Sequence, residues 1–299
     1  MTNFTKPVSA LLSMALLGLG ALGVPNKSSR AYLEALNGAS ETPVLLSEAI
    51  KAEKAPEVID VDGVVCRLTM EDNFDGNDIN PKYWSRLDEN FPYAYNDDSM
   101  IWVENGNLYV GCAESDKYPE NESIIGSVNT EGKFEQKCGY FEAKILTTKT
   151  LGVNCAWWMM VGDQNGTEDL GVDGAEVDIF ESMGRTKNDY TNEVGISIHI
   201  DGYGDQLKSL KSRPIYPASF YDEWHTYGFL WTEDNYVFYI DGEKVWETNK
   251  FGICEYPGYV ILSTASGKEF GTDVTELPDA MRVDWVRIYQ LDELFAKSK

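Results

Sequence analysis

The chain has 299 residues, enough to bury a sizeable core as one large domain or two small ones. Its 49 acidic and 25 basic residues give a net charge of -24, which repels phosphate and sulfate groups and argues against nucleic acid or another polyanion as a partner. The two histidines, His199 and His225, lack HExxH spacing and exclude a histidine-rich metal centre, while the lack of a GxSxG elbow weakens a Ser-His-Asp reading.

At the N-terminus Lys6 precedes the apolar run Val8 to Val24, which is followed by polar NKSSR. This resembles a signal peptide over residues 1–23, with Ala21 and Gly23 as small residues at cleavage positions; the run is short for a membrane span. A secreted protein with no membrane span in the mature chain is expected, with a membrane anchor as the alternative if the leader is not cleaved. Residues 24–65 are rich in Ala, Glu, Lys, Ser and Pro and read as a linker or spacer, in which AYLEAL and LLSEAIKAEKA have the pattern of short helices.

From residue 66 the texture changes to short alternating runs separated by Gly, Asn and Asp, among them NLYVGCA, YFEAKIL, AWWMMV, AEVDIFE, GISIHI, HTYGFLW, YVILSTA and MRVDWVRIYQ. Many short strands at close spacing predict an all-β sandwich or barrel over residues 66–292, with 293–299 as a C-terminal tail. YVFYIDGEKVWE predicts a hairpin turning at Asp241-Gly242. In AWWMMV the two tryptophans must point to opposite faces, so one of Trp157 and Trp158 is core. The five cysteines, Cys66, Cys112, Cys138, Cys155 and Cys254, contain no CxxC pair; their odd number leaves at least one thiol free and permits up to two disulfides.

The stretch GAEVDIFESMG places Glu176, Asp178 and Glu181 in a segment whose Val177, Ile179 and Phe180 favour a strand. Glu176 and Asp178 share a face, whereas Glu181 lies an odd number of steps beyond Asp178 and would point the other way. A β-bulge at Ile179-Phe180 restores it to the same face. The glutamates are then four strand steps apart, about 13 Å between Cα atoms, and side chains leaning together bring the carboxylates to about 5 to 6 Å. That spacing suits a nucleophile and an acid/base acting on one glycosidic bond. The alternative is a solvated strand face in an acid-rich chain.

The blocks EDNFDG with Trp84, VENGNLYV, SVNTEGKFEQKCGYFEAKIL, AWWMM, EVDIFE, ISIHIDGYG, WHTYGFLWTEDNYVFYIDGEKV and MRVDWVRIYQ, in that order, resemble glycoside hydrolase family 16, the laminarinase and lichenase group. The resemblance covers nearly all of residues 68–290. It implies a β-jelly-roll sandwich of two curved antiparallel, concanavalin-like sheets, with Glu176 as nucleophile, Glu181 as general acid/base and Asp178 as helper between them. It further implies sugar contacts from Trp158, His199, Asn96 and Tyr203. Catalysis needs no cofactor in this reading, and a structural calcium ion would take Asp284, the Gly106 carbonyl and Glu71.

Two departures stand out: Lys144 occupies a position where the family usually has Arg, and STASGKEFG replaces a glycine-rich strand. The bulged acidic motif is similar to the laminarinase and galactanase branches. The expected activity is endo-hydrolysis of a β-1,3-glucan or mixed β-1,3-1,4-glucan by a monomer, with a polysaccharide as its partner. An endo-galactanase of the agar, carrageenan or porphyran type, a xyloglucan-active enzyme or transglycosylase, and a non-catalytic carbohydrate-binding protein are the alternatives.

Overall fold

Strand alternation and strand neighbours decide which side chains face inward, and the computed structural model describes these for residues 42–297 apart from 91–93, 116, 118–122, 165–169, 183–192 and 268–269. The first ten strands are β1 (Val44–Leu45), β2 (Val58–Val61), β3 (Val64–Asp72), β4 (Ser85–Arg86), β5 (Glu89–Asn90), β6 (Tyr95–Asn96), β7 (Ile101–Glu104), β8 (Asn107–Glu114), β9 (Ser123–Ile125) and β10 (Ser127–Asn129). The second ten are β11 (Gly139–Leu146), β12 (Asn154–Gly162), β13 (Gly174–Glu181), β14 (Gly195–Ile200), β15 (Lys208–Lys211), β16 (His225–Trp231), β17 (Tyr236–Ile240), β18 (Glu243–Thr248), β19 (Gly258–Ala265) and β20 (Asp279–Leu291). Two short helices, α1 (Leu46–Ala49) and α2 (Asp292–Lys297), lie near the ends of this set.

The strands form two sheets. The smaller has seven strands in the order β15-β14-β13-β12-β19-β10-β4. The larger has thirteen, with β18-β17-β16-β11-β20-β8-β9-β6-β5 as its path, β3, β2 and β1 continuing from β20, and β7 pairing with β8. Pairing is antiparallel except between β1 and β2 and between β6 and β9. This is the sandwich that the short alternating runs predict.

The core between the sheets follows from the period of two. On β12, Trp157, Met159 and Val161 are fully buried; on β13, Val177 is, with Ile179 and Phe180 following it. Phe180 stacks on Tyr227 of β16 at 4.1 Å between ring centroids, joining the small sheet to the large one. Burial of an aromatic side chain of this size contributes roughly 1.5–3 kcal/mol. The hairpin of β17 and β18 turns at Asp241 and Gly242, both with positive φ (52° and 78°), as an Asp-Gly turn of the type that matches strand twist.

One boundary moves. Residues 24–65 read as a linker, but Pro43 to Lys299 forms one compact unit in which β1, α1 and β2 precede β3. Val58, Ile59 and Val61 are buried, and the Ala/Glu/Lys-rich composition around them conceals a strand of only four residues. Arg287, itself buried, fastens this segment by donating to the carbonyls of Ala49, Ala52 and Glu53. The tail expected at 293–299 begins as α2, whose first residue Asp292 accepts from Arg67 Nε at 2.8 Å. The leader and AYLEAL lie outside the described residues. Among the described residues no helix is long and apolar enough to cross a membrane.

Candidate active site

The register on both sides of β13 shows how three acids come to share a face. Against β12, Asp178 pairs with Trp158 and Phe180 with Trp157, so two steps on β13 answer one on β12. Against β14, Asp178 pairs with Ser197 and Glu181 with Gly195, so three steps answer two. Ile179 is the extra residue of a β-bulge. Ile179 and Phe180 therefore both turn into the core, and Glu181 returns to the face of Glu176 and Asp178.

Neighbouring strands supply the partners. Ser197 Oγ donates to Asp178 Oδ2 at 2.6 Å, and His199 Nε2 lies 3.1 Å from the same oxygen. The other ring nitrogen of His199 is 2.6 Å from Ser209 Oγ on β15. Asn154 Nδ2 donates to Glu181 Oε1 at 3.0 Å. The phenol of Tyr203 donates to Glu176 Oε2.

Crowding and burial set the charges. Removal from water pushes the Glu181 carboxyl up to about 7, with Asp178 adding to the effect and the Asn154 amide opposing it. Glu176 is also raised, by burial first and then by Asp178, but the Tyr203 phenol and His199 hold it back. His199 is raised chiefly by its hydrogen bond to Asp178, so an imidazolium beside that carboxylate offsets part of the repulsion among the acids. At neutral pH this cluster can hold one carboxyl protonated and another ionised, the division of labour needed to donate a proton and attack a carbon. Ligand atoms of Glu176, Asp178 and His199 lie within 4.8 Å of one another, the one such group among the described residues able to hold a metal ion.

Of the other expected sugar contacts, Trp158 faces the side of the acids, half-buried, with its indole N–H donating to Ser263 Oγ of β19 at 3.0 Å. His199 sits opposite Glu176 on β14, and Tyr203 reaches Glu176 from the loop that follows. Asn96 is buried on β6 of the large sheet, and among the described residues its Oδ1 has no hydrogen-bond partner. Asn154, Ser197, Ser209 and Ser263 join the site although nothing in their local sequence marks them.

Two of the three expected calcium ligands share a cleft, and the third has other partners. Gly106 and Asp284 line a cleft of about 820 Å³ beside the large sheet, with Asn73, Asp75, Lys144 and Trp224. Lys144 Nζ lies 2.7 Å from Asp284 Oδ2, placing a positive charge against the carboxylate that a cation would use. Glu71 is spent elsewhere, accepting from Ala55 N at 2.8 Å with Arg287 Nε at 3.5 Å. Calcium takes six to eight oxygens, and Glu71 is not among the residues lining the cleft that Gly106 and Asp284 share.

A comparison with known families matches the model for glycosyl hydrolases family 16 over residues 89–287, two thirds of the chain and including every residue of the acidic cluster. The chain belongs to glycosyl hydrolases family 16. Within family 16 it is 28% identical over 226 residues to the endo-1,3-1,4-beta-glycanase ExsH of Rhizobium meliloti, covering 72% of this chain and 43% of that protein. It is 26% identical over 237 residues to the glucan endo-1,3-beta-glucosidase A1 of Niallia circulans, covering 70% of this chain and 33% of that one. The chain thus spans less than half the length of these curated relatives. The solved endo-beta-1,3-glucanase of Pyrococcus furiosus superposes with a TM-score of 0.65 at 26% identity, covering 79% of this chain and 98% of that structure. The jelly-roll sandwich is common to both.

Proposed function

We propose that this protein hydrolyses internal linkages of a β-1,3-glucan or mixed β-1,3-1,4-glucan with retention of configuration. The observation that carries the reading is the bulge at Ile179, which sets Glu176, Asp178 and Glu181 on one face between β12 and β14. The glucanase relatives support the substrate class. Trp158, on the same face, supplies an indole on which a pyranose can pack.

In the first step Glu181, protonated near neutral pH, donates to the glycosidic oxygen as the bond to the departing sugar breaks. Glu176 attacks the anomeric carbon and forms a glycosyl ester. In the second step Glu181, now a carboxylate, takes a proton from water as its oxygen attacks the same carbon and the ester bond returns its electron pair to Glu176. Asp178, held by Ser197 and His199, stands between the two glutamates and adjusts the field each one feels as charge moves.

The test is reducing-sugar release from laminarin, lichenan, agarose and xyloglucan. Release from the first two is expected, with the β-anomer appearing first by proton NMR, and Glu176→Gln or Glu181→Gln losing at least about 10²- to 10⁴-fold. Binding without release from any member would favour a carbohydrate-binding protein; release from agarose alone would favour the galactanase branch. Export belongs to the same reading, and the run Val8 to Val24 supports it. N-terminal sequencing of the protein recovered from culture medium checks that point.

A further inference from the structure

Beyond Ile200 the chain reverses through Asp201, Gly202 and Gly204, whose φ angles are +63°, +74° and +100°. These left-handed positions suit glycine and tolerate aspartate, and together they fold the loop back across the end of β14. The loop is anchored at its base: the Asp201 side chain is buried, and its Oδ2 accepts from Lys208 Nζ at 2.5 Å. Between the bends Tyr203 keeps 69% of its surface exposed, yet its hydroxyl reaches Oε2 of Glu176. Among the described residues it is the hydrogen-bond donor on that carboxylate.

We propose that Tyr203 is a positioning residue for the nucleophile, holding Oε2 of Glu176 so that Oε1 attacks and easing the departure of the carboxylate in the second step. The inference rests on Glu176 being the nucleophile. In the first step Oε1 forms the ester bond to the anomeric carbon, the glycosidic bond breaks, and its electron pair leaves on an oxygen that takes the Glu181 proton. Oε2 becomes the ester carbonyl and keeps the phenol donor. In the second step water adds to the carbon, its proton goes to Glu181, and the ester electron pair returns to a carboxylate that the phenol stabilises. A donor that stabilises the anion makes it a better leaving group, so its removal slows the second step more than the first.

The groups facing Glu176 are Asp178 and Glu181 on its own strand, His199 on β14 and Tyr203 in the loop, with Tyr259 of β19 near the phenol. Asp178 disfavours the anion, while Tyr203 and His199 favour it. Taking away the phenol therefore moves the nucleophile's titration upward in pH.

Tyr203→Phe retains the ring and removes the donor. With 4-nitrophenyl β-laminaribioside, kcat is expected to fall about 10- to 100-fold with a parallel fall in KM, since the glycosyl ester accumulates. A burst of nitrophenol close to one equivalent of enzyme should appear, and the acidic limb of kcat/KM should move to higher pH. A fall in rate with neither burst nor moved limb would assign Tyr203 a merely structural part and overturn the proposal. Carbon-13 NMR titration of the Glu176 carboxyl, assigned through Glu176→Gln, gives a readout independent of turnover: the midpoint should be higher in Tyr203→Phe, and equal midpoints overturn the phenol's hold. A wild-type protein inert on every glucan while the midpoints differ would overturn the substrate reading and uphold the contact.

Discussion

The side-chain amide of Asn154 donates to Oε1 of Glu181 at 3.0 Å, from the first residue of the strand that lies beside the bulge. The amide stabilises the ionised form of a carboxyl that burial pushes up to about 7. Asn154→Ala is therefore expected to shift the basic limb of kcat/KM to higher pH, with a loss of roughly several-fold in kcat from the less well oriented acid. A pH-rate series on laminarin measures it; an unmoved limb would mean that the amide does not set the proton affinity of Glu181.

Glu142 is buried on β11, hydrogen-bonded by Tyr140 at 3.0 Å, and raised to about 7 by its removal from water, with Tyr140, Arg287 and Thr226 opposing. A carboxyl raised in the folded state contributes its stability fully below its unfolded value of 4.5 and loses it as pH rises through about 7. The Tm of the wild type is thus expected to fall between pH 5 and pH 8. Glu142→Gln should flatten that slope and raise Tm at pH 8, by about 2–4 °C for each kcal/mol relieved. Parallel calorimetry of both proteins across this range decides it.

Lys144 pairs with the carboxylate of Asp284, with both side chains about one third exposed. EDTA is expected to shift the Tm of the wild type by no more than about 1 °C, and Lys144→Met to lower it only modestly, since a pair this exposed contributes about 0–1 kcal/mol. An EDTA-induced fall of several degrees in the wild type would show that a cation reaches this site despite the ammonium group.

All five cysteines are free and buried, and burial raises the pKa of each thiol. A thiol shielded from solvent and kept protonated is a poor nucleophile. Native protein is expected to react negligibly with a thiol reagent over minutes, and denatured protein to show five equivalents. Dithiothreitol should leave Tm unchanged, and a reductant-sensitive Tm would reveal a disulfide.

Much of the site was legible because its information is local. The odd spacing from Asp178 to Glu181 is itself the signature of a bulge, and the alternation of Trp157 and Trp158 places one in the core and one beside the acids. Asn154, Ser197 and Ser263 were not legible, because their roles depend on which strands become neighbours. Ser263 meets Trp158 across 105 positions of sequence only because β19 lies beside β12. The same non-local pairing separates Glu71 from Asp284: β3 beside β20 sets Glu71 opposite Arg287. The early strands were hidden for a different reason, since β1 and β2 are too short for alternation to outweigh an Ala/Glu/Lys-rich surrounding.

The register of β13 carries a consequence for how its length can change. Removing Ile179 would leave one step facing one on the β12 side and two facing two on the β14 side, so both ladders would close without a kink. Glu176, Asp178 and the last glutamate would still share a face, and the loss would fall on the hydrophobic interior. A shortened strand of this kind would remove only the buried side of the kink and leave the reactive face in place, which replacing any of the acids cannot do.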